Sequence, residues 1–122
     1  MADVLVVDDE ESIRRLLVRW LSGWGYAARE AVGANDALEQ MAAEPASIML
    51  CDVLMPGHDG IWLAEQVHQR WPKTMVIMAS SAQDMDTVIK MRKQGAVDYV
   101  TKPFGRELLL QALRRASEKL ES

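Results

Sequence analysis

Three short strand-like runs in this chain end on charged residues, and that pattern constrains the fold more than any other feature. Val4 to Val7 leads into Asp8 and Asp9, Ile48 to Cys51 into Asp52, and Val97 to Thr101 into Lys102 and Pro103. Apolar runs of four to six residues bounded by turn signals read as strands buried on both faces, the habit of parallel sheets. Laid side by side, their carboxyl ends would put three carboxylates and one ammonium into one crevice, where open α/β sheets bind ligands. Two carboxylates about 5 Å apart at an effective dielectric of ~20 repel by roughly 3 kcal/mol. A cluster of three therefore asks for a divalent metal ion.

Strand and helix alternate five times. The spacing predicts a first strand over 3–7 and a helix from Ser12 to Gly23, with Ile13, Leu16, Leu17, Trp20 and Leu21 at helical intervals and Gly23 and Gly25 at its exit. Tyr26 to Ala31 reads as a second strand. Asn35 or Asp36 is the expected cap of a helix through Ala43, which Pro45 stops. Ser47 to Asp52 is the third strand, and a loop with Pro56, Gly57 and Gly60 leads to a helix over Gly60 to Arg70. A fourth strand over Met75 to Ala79 precedes Ser80 and Ser81, and Asp84 or Asp86 opens a helix to Gln94. The fifth strand, Val97 to Thr101, and a last helix from Arg106 to Leu120 complete the pattern. Such alternation implies right-handed crossovers and a parallel sheet covered on both faces, a doubly wound α/β fold.

The 122 residues are expected to form one domain, 1–122. An apolar fraction of 49% with 26% charged residues is ordinary globular usage and argues against disorder. The formal charge of −4 argues against direct nucleic-acid binding by this domain. One cysteine allows no internal disulfide, and no apolar run approaches the ~20 residues of a membrane span. A cytoplasmic protein without a membrane segment is the expectation.

Asp8-Asp9 after the first strand, Asp52 followed by Met55-Pro56-Gly57 and Gly60, and Lys102-Pro103-Phe104 after the fifth resemble the receiver domain of two-component response regulators. The resemblance runs from Asp3 to Leu120. It implies the CheY-like, flavodoxin-like (βα)5 fold with strand order 2-1-3-4-5. By the same resemblance, Ser80, 22 residues before Lys102, is the hydroxyl position, and Tyr99, three before Lys102, is the aromatic switch.

The roles that the resemblance implies are chemically coherent. Asp52 would be the phosphoacceptor, taking a phosphoryl group from a sensor histidine kinase or phosphotransfer protein. Mg²⁺, with Mn²⁺ as a substitute, would be held by Asp9, Asp52 and the backbone carbonyl of Leu54, Asp8 acting through water. Lys102 and the Ser80 hydroxyl would meet phosphoryl oxygens. The Lys102–Pro103 peptide is expected to be cis. Such a protein is a switch that assists its own phosphorylation and dephosphorylation, not an enzyme in the ordinary sense. Ser81 departs from the alanine or glycine usual there and adds a hydroxyl that would crowd or hydrogen-bond the phosphoryl group. Leu54 and Ala82 offer no polar group to a hydrolytic water, which implies slow dephosphorylation.

Plainer readings stand beside these. Asp8 could cap the first helix, Cys51 reads as a small core residue, and His58 as a solvated loop residue. Ile13, Arg14, Leu17 and Trp20 are candidates for the kinase-facing surface, though Ile13 and Leu17 could instead pack on the sheet. Lys90, Arg92, Lys93, Arg106, Arg114 and Arg115 give the fourth and fifth helices a basic bias. That bias is either a solvated face or a meeting place for an acidic partner or a second copy, a homodimer through the fourth helix, fifth strand and fifth helix. The output domain or effector is not legible: the chain reads equally as a stand-alone receiver or as part of a longer regulator. A constitutive interaction module and an aspartyl phosphatase remain as the other classes. The intact polar positions argue against the first, and the lack of an Asp-x-Asp motif after the first strand argues against the second.

Overall fold

The computed structural model describes residues 2–53, 55, 57, 59–80, 89–90, 96–102 and 104–121. Strands β1 (Asp3–Val7), β2 (Ala27–Ala31), β3 (Ile48–Asp52), β4 (Met75–Ser80) and β5 (Ala96–Thr101) form one sheet in the order β2-β1-β3-β4-β5. Every pairing is parallel. Between them lie helices α1 (Glu11–Gly23), α2 (Ala34–Ala43) and α3 (Gly60–Arg70), and a C-terminal helix (Arg106–Glu121) follows β5. This is the flavodoxin-like order that the resemblance implies. The helix expected between Asp84 or Asp86 and Gln94 lies outside the described residues, apart from Ile89 and Lys90, which are helical.

Strand periodicity divides the core in two. Leu5, Val7, Met49, Cys51, Val76 and Met78 pack with Ala37, Met41, Leu63 and Val67 of α2 and α3. The alternate residues Val4, Val6, Ile48, Leu50 and Ile77 pack with Leu17 and Leu21 of α1 and with Leu109 and Leu113 of the C-terminal helix. Successive side chains of a strand point to opposite faces, so helices on both sides explain why these strands carry no polar face.

The exit of α1 follows the expectation and the start of α2 departs from it. Trp24 lies just beyond α1, and its N–H together with those of Gly25 and Tyr26 bonds the last carbonyls of the helix. Gly25, at φ +91°, takes the left-handed conformation that glycine adopts at least cost. Helix α2 starts at Ala34, so neither Asn35 nor Asp36 precedes it as a cap. Asp36 instead reaches back from the first turn and accepts the Val32 N–H at 3.0 Å. At α3, Asp59 is the cap, accepting the Trp62 N–H at 2.9 Å.

Candidate acidic site at the carboxyl edge of the sheet

Parallel register brings the carboxyl ends of β1, β3, β4 and β5 together. Val7 pairs with Cys51, Asp52 with Ala79, and Ser80 with Thr101, so the residues that follow each strand meet over one edge. Asp8, Asp9 and Asp52 converge there, each with a carboxylate oxygen within 4.8 Å of the others. Asp8 and Asp52 are buried, at 2% and 8% exposure, and Asp9 is exposed. Three hard oxygen donors in one half-open cluster suit a small divalent cation that keeps part of its water shell. The donor set present thus fits the metal that the sequence calls for.

Lys102 reaches into the cluster and lies 3.2 Å from Oδ2 of both Asp8 and Asp52. Burial alone would lower the pKa of its ammonium, but Asp52 and then Asp8 outweigh burial and hold it above the usual lysine value. The position of Lys102 is set by backbone: its N–H donates to the Ser80 carbonyl at 2.7 Å. Ser80 is 1% exposed at the end of β4, whereas Tyr99 on β5 is 38% exposed. Cys51 is fully buried next to Asp52, and burial, reinforced by the Asp52 charge, pushes its thiol pKa up, so it is a core residue with no thiolate character.

The loop after β3 is tied down by Gly60. Its N–H donates to the Val53 carbonyl at 2.9 Å, and its Cα lies so close to the Asp52 backbone that a Cβ would overlap the Asp52 carbonyl group. Asp8 does not cap α1: Oδ1 accepts the Glu10 N–H at 2.9 Å in a turn before the helix, and the helix N-terminus has no side-chain cap. The Leu54 carbonyl, the Lys102–Pro103 peptide, His58, Ser81, Arg92 and Lys93 lie outside the described residues.

One expectation is overturned. Arg14 does not face a partner: it is 9% exposed, donating from Nη1 to the Asp8 carbonyl at 2.8 Å and from Nε to Glu30 Oε1 at 2.9 Å. Leu17 is likewise buried. The surface beside the site is a groove of about 390 Å³ lined by Ile13, Leu16, Trp20 and Phe104, with Lys102 at its edge. The sequence points to no role for Glu30, and it shows Leu16 only as one of the apolar residues at helical intervals on the first helix. The helical row Arg14, Leu17, Leu21 was the available signal, because an arginine in line with core leucines must point inward and find a partner. Of the basic residues, Lys90, Arg106, Arg114 and Arg115 are exposed, and Arg115 pairs with Asp98 of β5.

Five parallel strands with an acid–lysine cluster at their carboxyl edge make a doubly wound α/β domain with a candidate cation site, and comparison with known proteins gives its family. The chain belongs to the response regulator receiver domain family, whose model matches residues 4–114. The DNA-binding transcriptional regulator NtrC of Salmonella typhimurium is 37% identical over 113 residues, 93% of this chain and 24% of that protein. The crystal structure of NtrX from Brucella abortus in complex with ADP superposes with a TM-score of 0.92 at 32% identity, covering 98% of this chain and 28% of that one. Chemotaxis protein CheY4 of Vibrio cholerae gives a TM-score of 0.90 at 29% identity, covering 95% and 98%. The chain spans about a quarter of the length of the curated relatives it matches. Receiver domains work with histidine kinases and output domains. No helix among the described residues is long and apolar enough to cross a membrane.

Proposed function

We propose that residues 1–122 make a single receiver domain in which Asp52 accepts a phosphoryl group from a phosphohistidine of a sensor histidine kinase or phosphotransfer protein. The observation that carries this reading is the convergence on Asp52 of two further carboxylates and the shared Lys102 ammonium. An Asp52 oxygen attacks phosphorus in line, forming a P–O bond as the P–N bond to the imidazole breaks. Lys102 moves from carboxylate to phosphoryl oxygen and offsets the charge spread over the transferring group, and the Ser80 hydroxyl donates to another of its oxygens. Asp8, Asp9 and Asp52 would hold Mg²⁺, or Mn²⁺ in its place, with the Leu54 carbonyl as a further ligand. The bound cation supplies neutralisation of the carboxylates and of the incoming phosphoryl group.

Switching follows from the same contacts. A phosphoryl group on Asp52 draws Ser80 toward it, and Tyr99, now exposed, moves into the space released. A ligand shifts only states that it contacts differently. The output is therefore the face formed by the fourth helix, β5 and the C-terminal helix, to which the exposed residues Ile89 and Lys90 of the fourth helix and Tyr99 of β5 belong. A second copy of the chain or an effector would meet that face. The groove formed by Ile13, Leu16, Trp20 and Phe104 supports kinase docking instead. The domain is a cytoplasmic acceptor and not a turnover catalyst, and its net charge of −4 argues against direct contact with nucleic acid.

Incubation with a small acyl phosphate and Mg²⁺, followed by intact-mass measurement, tests the reading. A stable gain of about 80 Da, absent in Asp52→Asn, is the expected result for a phosphoacceptor. No adduct would indicate an interaction module, and acyl phosphate consumption without an adduct an enzyme. Leu16→Glu is expected to slow transfer from the kinase and to leave acyl phosphate labelling unchanged.

A further inference from the structure

We propose that Arg14 is a positioning residue for the metal-binding carboxylates, acting through the backbone of Asp8; the proposal rests on the metal site described above. The Asp8 carbonyl, which Nη1 of Arg14 holds at 2.8 Å, belongs to the peptide unit that joins Asp8 to Asp9. That unit is planar, so fixing its oxygen also fixes the amide plane from which Asp9 departs. Asp9 is exposed, so its carboxylate is aimed chiefly by its backbone.

Arg14 is in turn anchored to β2. Its Nε donates to Glu30 Oε1 at 2.9 Å, and the neighbouring Ala31 carbonyl accepts the Asp8 N–H at 3.2 Å. The two ends of Asp8 are thus tied to adjacent residues of one strand, its nitrogen directly and its oxygen through the arginine. The planar fork of a guanidinium can serve a carbonyl and a carboxylate at once.

A packing role alone accounts poorly for this arrangement. The Glu30 side chain is 41% exposed, so water weakens its pairing with the buried guanidinium. Burying a guanidinium is costly unless its N–H groups are paired, and a half-exposed carboxylate is only part of that pairing. Here the other bond falls on Asp8, the member of the acidic cluster that directly follows β1.

The test is the dissociation constant for Mn²⁺, measured by electron paramagnetic resonance with Mg²⁺ competition, on wild type, Arg14→Ala, Arg14→Lys and Glu30→Gln. Groups that orient metal ligands typically change affinity 10- to 100-fold when removed. Arg14→Ala should weaken binding about tenfold or more, with the protein still folded. Arg14→Lys should recover part of the loss, because an ammonium reaches one acceptor but cannot fork to two. Without metal, amide exchange at Asp9 and Glu10 should quicken in Arg14→Ala while that of α3 stays constant. A lower denaturant midpoint with an unchanged dissociation constant would overturn the proposal and leave Arg14 a packing residue. Should Arg14→Ala fail to fold, Glu30→Gln decides: several-fold weaker binding supports positioning, and wild-type binding contradicts it. Absence of saturable binding by wild type would overturn the metal site itself, and this proposal with it.

Discussion

Strand β1 carries a carboxylate at its amino end, Asp3, and another just past its carboxyl end, Asp8, and the two are kept in different ways. Asp3 Oδ1 accepts the Ser47 N–H at 3.1 Å and the Ser47 hydroxyl at 2.9 Å, while Oδ2 faces Arg29 at 3.3 Å. Burial would raise its pKa, but the Ser47 bonds, helped by Arg29, outweigh burial and hold it below the ordinary aspartate value. Asp8 shares the single Lys102 ammonium with Asp52, and Asp9 adds a third carboxylate. One end of the sheet neutralises its acid within the fold. The other leaves charge to be neutralised by something that binds, which is how a stable scaffold carries a responsive site.

Gly60→Ala should give the largest effect on this contrast. The added methyl overlaps the Asp52 carbonyl, and overpacking against backbone costs about 2–3 kcal/mol. Denaturant melts should show that loss with or without Mg²⁺, since the strain lies in the chain and not in the charge.

Lys102→Met comes next, at about 2 kcal/mol in EDTA, the cost of breaking a buried pair reduced for its partial exposure. The gain from Mg²⁺ should then exceed that of wild type, because the cation has more repulsion to relieve. An equal gain would mean that Lys102 and the metal do not act on the same carboxylates.

Asp3→Asn should cost about 1 kcal/mol at neutral pH, the scale of a charge-assisted hydrogen bond made neutral, with no dependence on Mg²⁺. The pH dependence has a definite sign. A carboxyl whose folded pKa is lowered binds fewer protons folded than unfolded, so its contribution is present above the unfolded value of about 3.8 and is lost as pH falls below it. Wild type and Asp3→Asn should therefore converge in stability below about pH 4. Persistence of the difference in acid would remove the charge from the explanation.

Much of this was legible in the residues. Val4 to Val7 and Ile48 to Cys51 are apolar on both faces because both faces of the sheet are covered, so the parallel strands could be read directly, whereas the strand order that brings Asp8, Asp9 and Asp52 together followed from the resemblance to receiver domains. Asp3 was not, because its partner Ser47 lies 44 residues away and nothing local to either predicts the bond. Arg14 was misread because charge on a helix usually means solvent, a rule that fails when the residue lies in line with Leu17 and Leu21. The start of α2 was misplaced because Gly33, in an extended conformation, took the boundary that Asn35 or Asp36 seemed suited to. Long-range polar pairs and tertiary contacts decided each of these, and neither leaves a periodic trace.

The central claim is that the carboxyl edge is strained by unneutralised charge that a divalent cation relieves, and four denaturant melts test it: wild type and Asp52→Asn, each in EDTA and in Mg²⁺. Removing one of three mutually repelling charges at nearly constant shape should make metal-free Asp52→Asn more stable than wild type, by roughly 1–3 kcal/mol before allowance for solvent. With ~10 mM Mg²⁺ and a dissociation constant near ~1 mM, wild type should gain about 1.4 kcal/mol, and Asp52→Asn, lacking a ligand, little of it. If Asp52→Asn is the less stable protein in EDTA and Mg²⁺ stabilises both alike, the three carboxylates do not form one metal site.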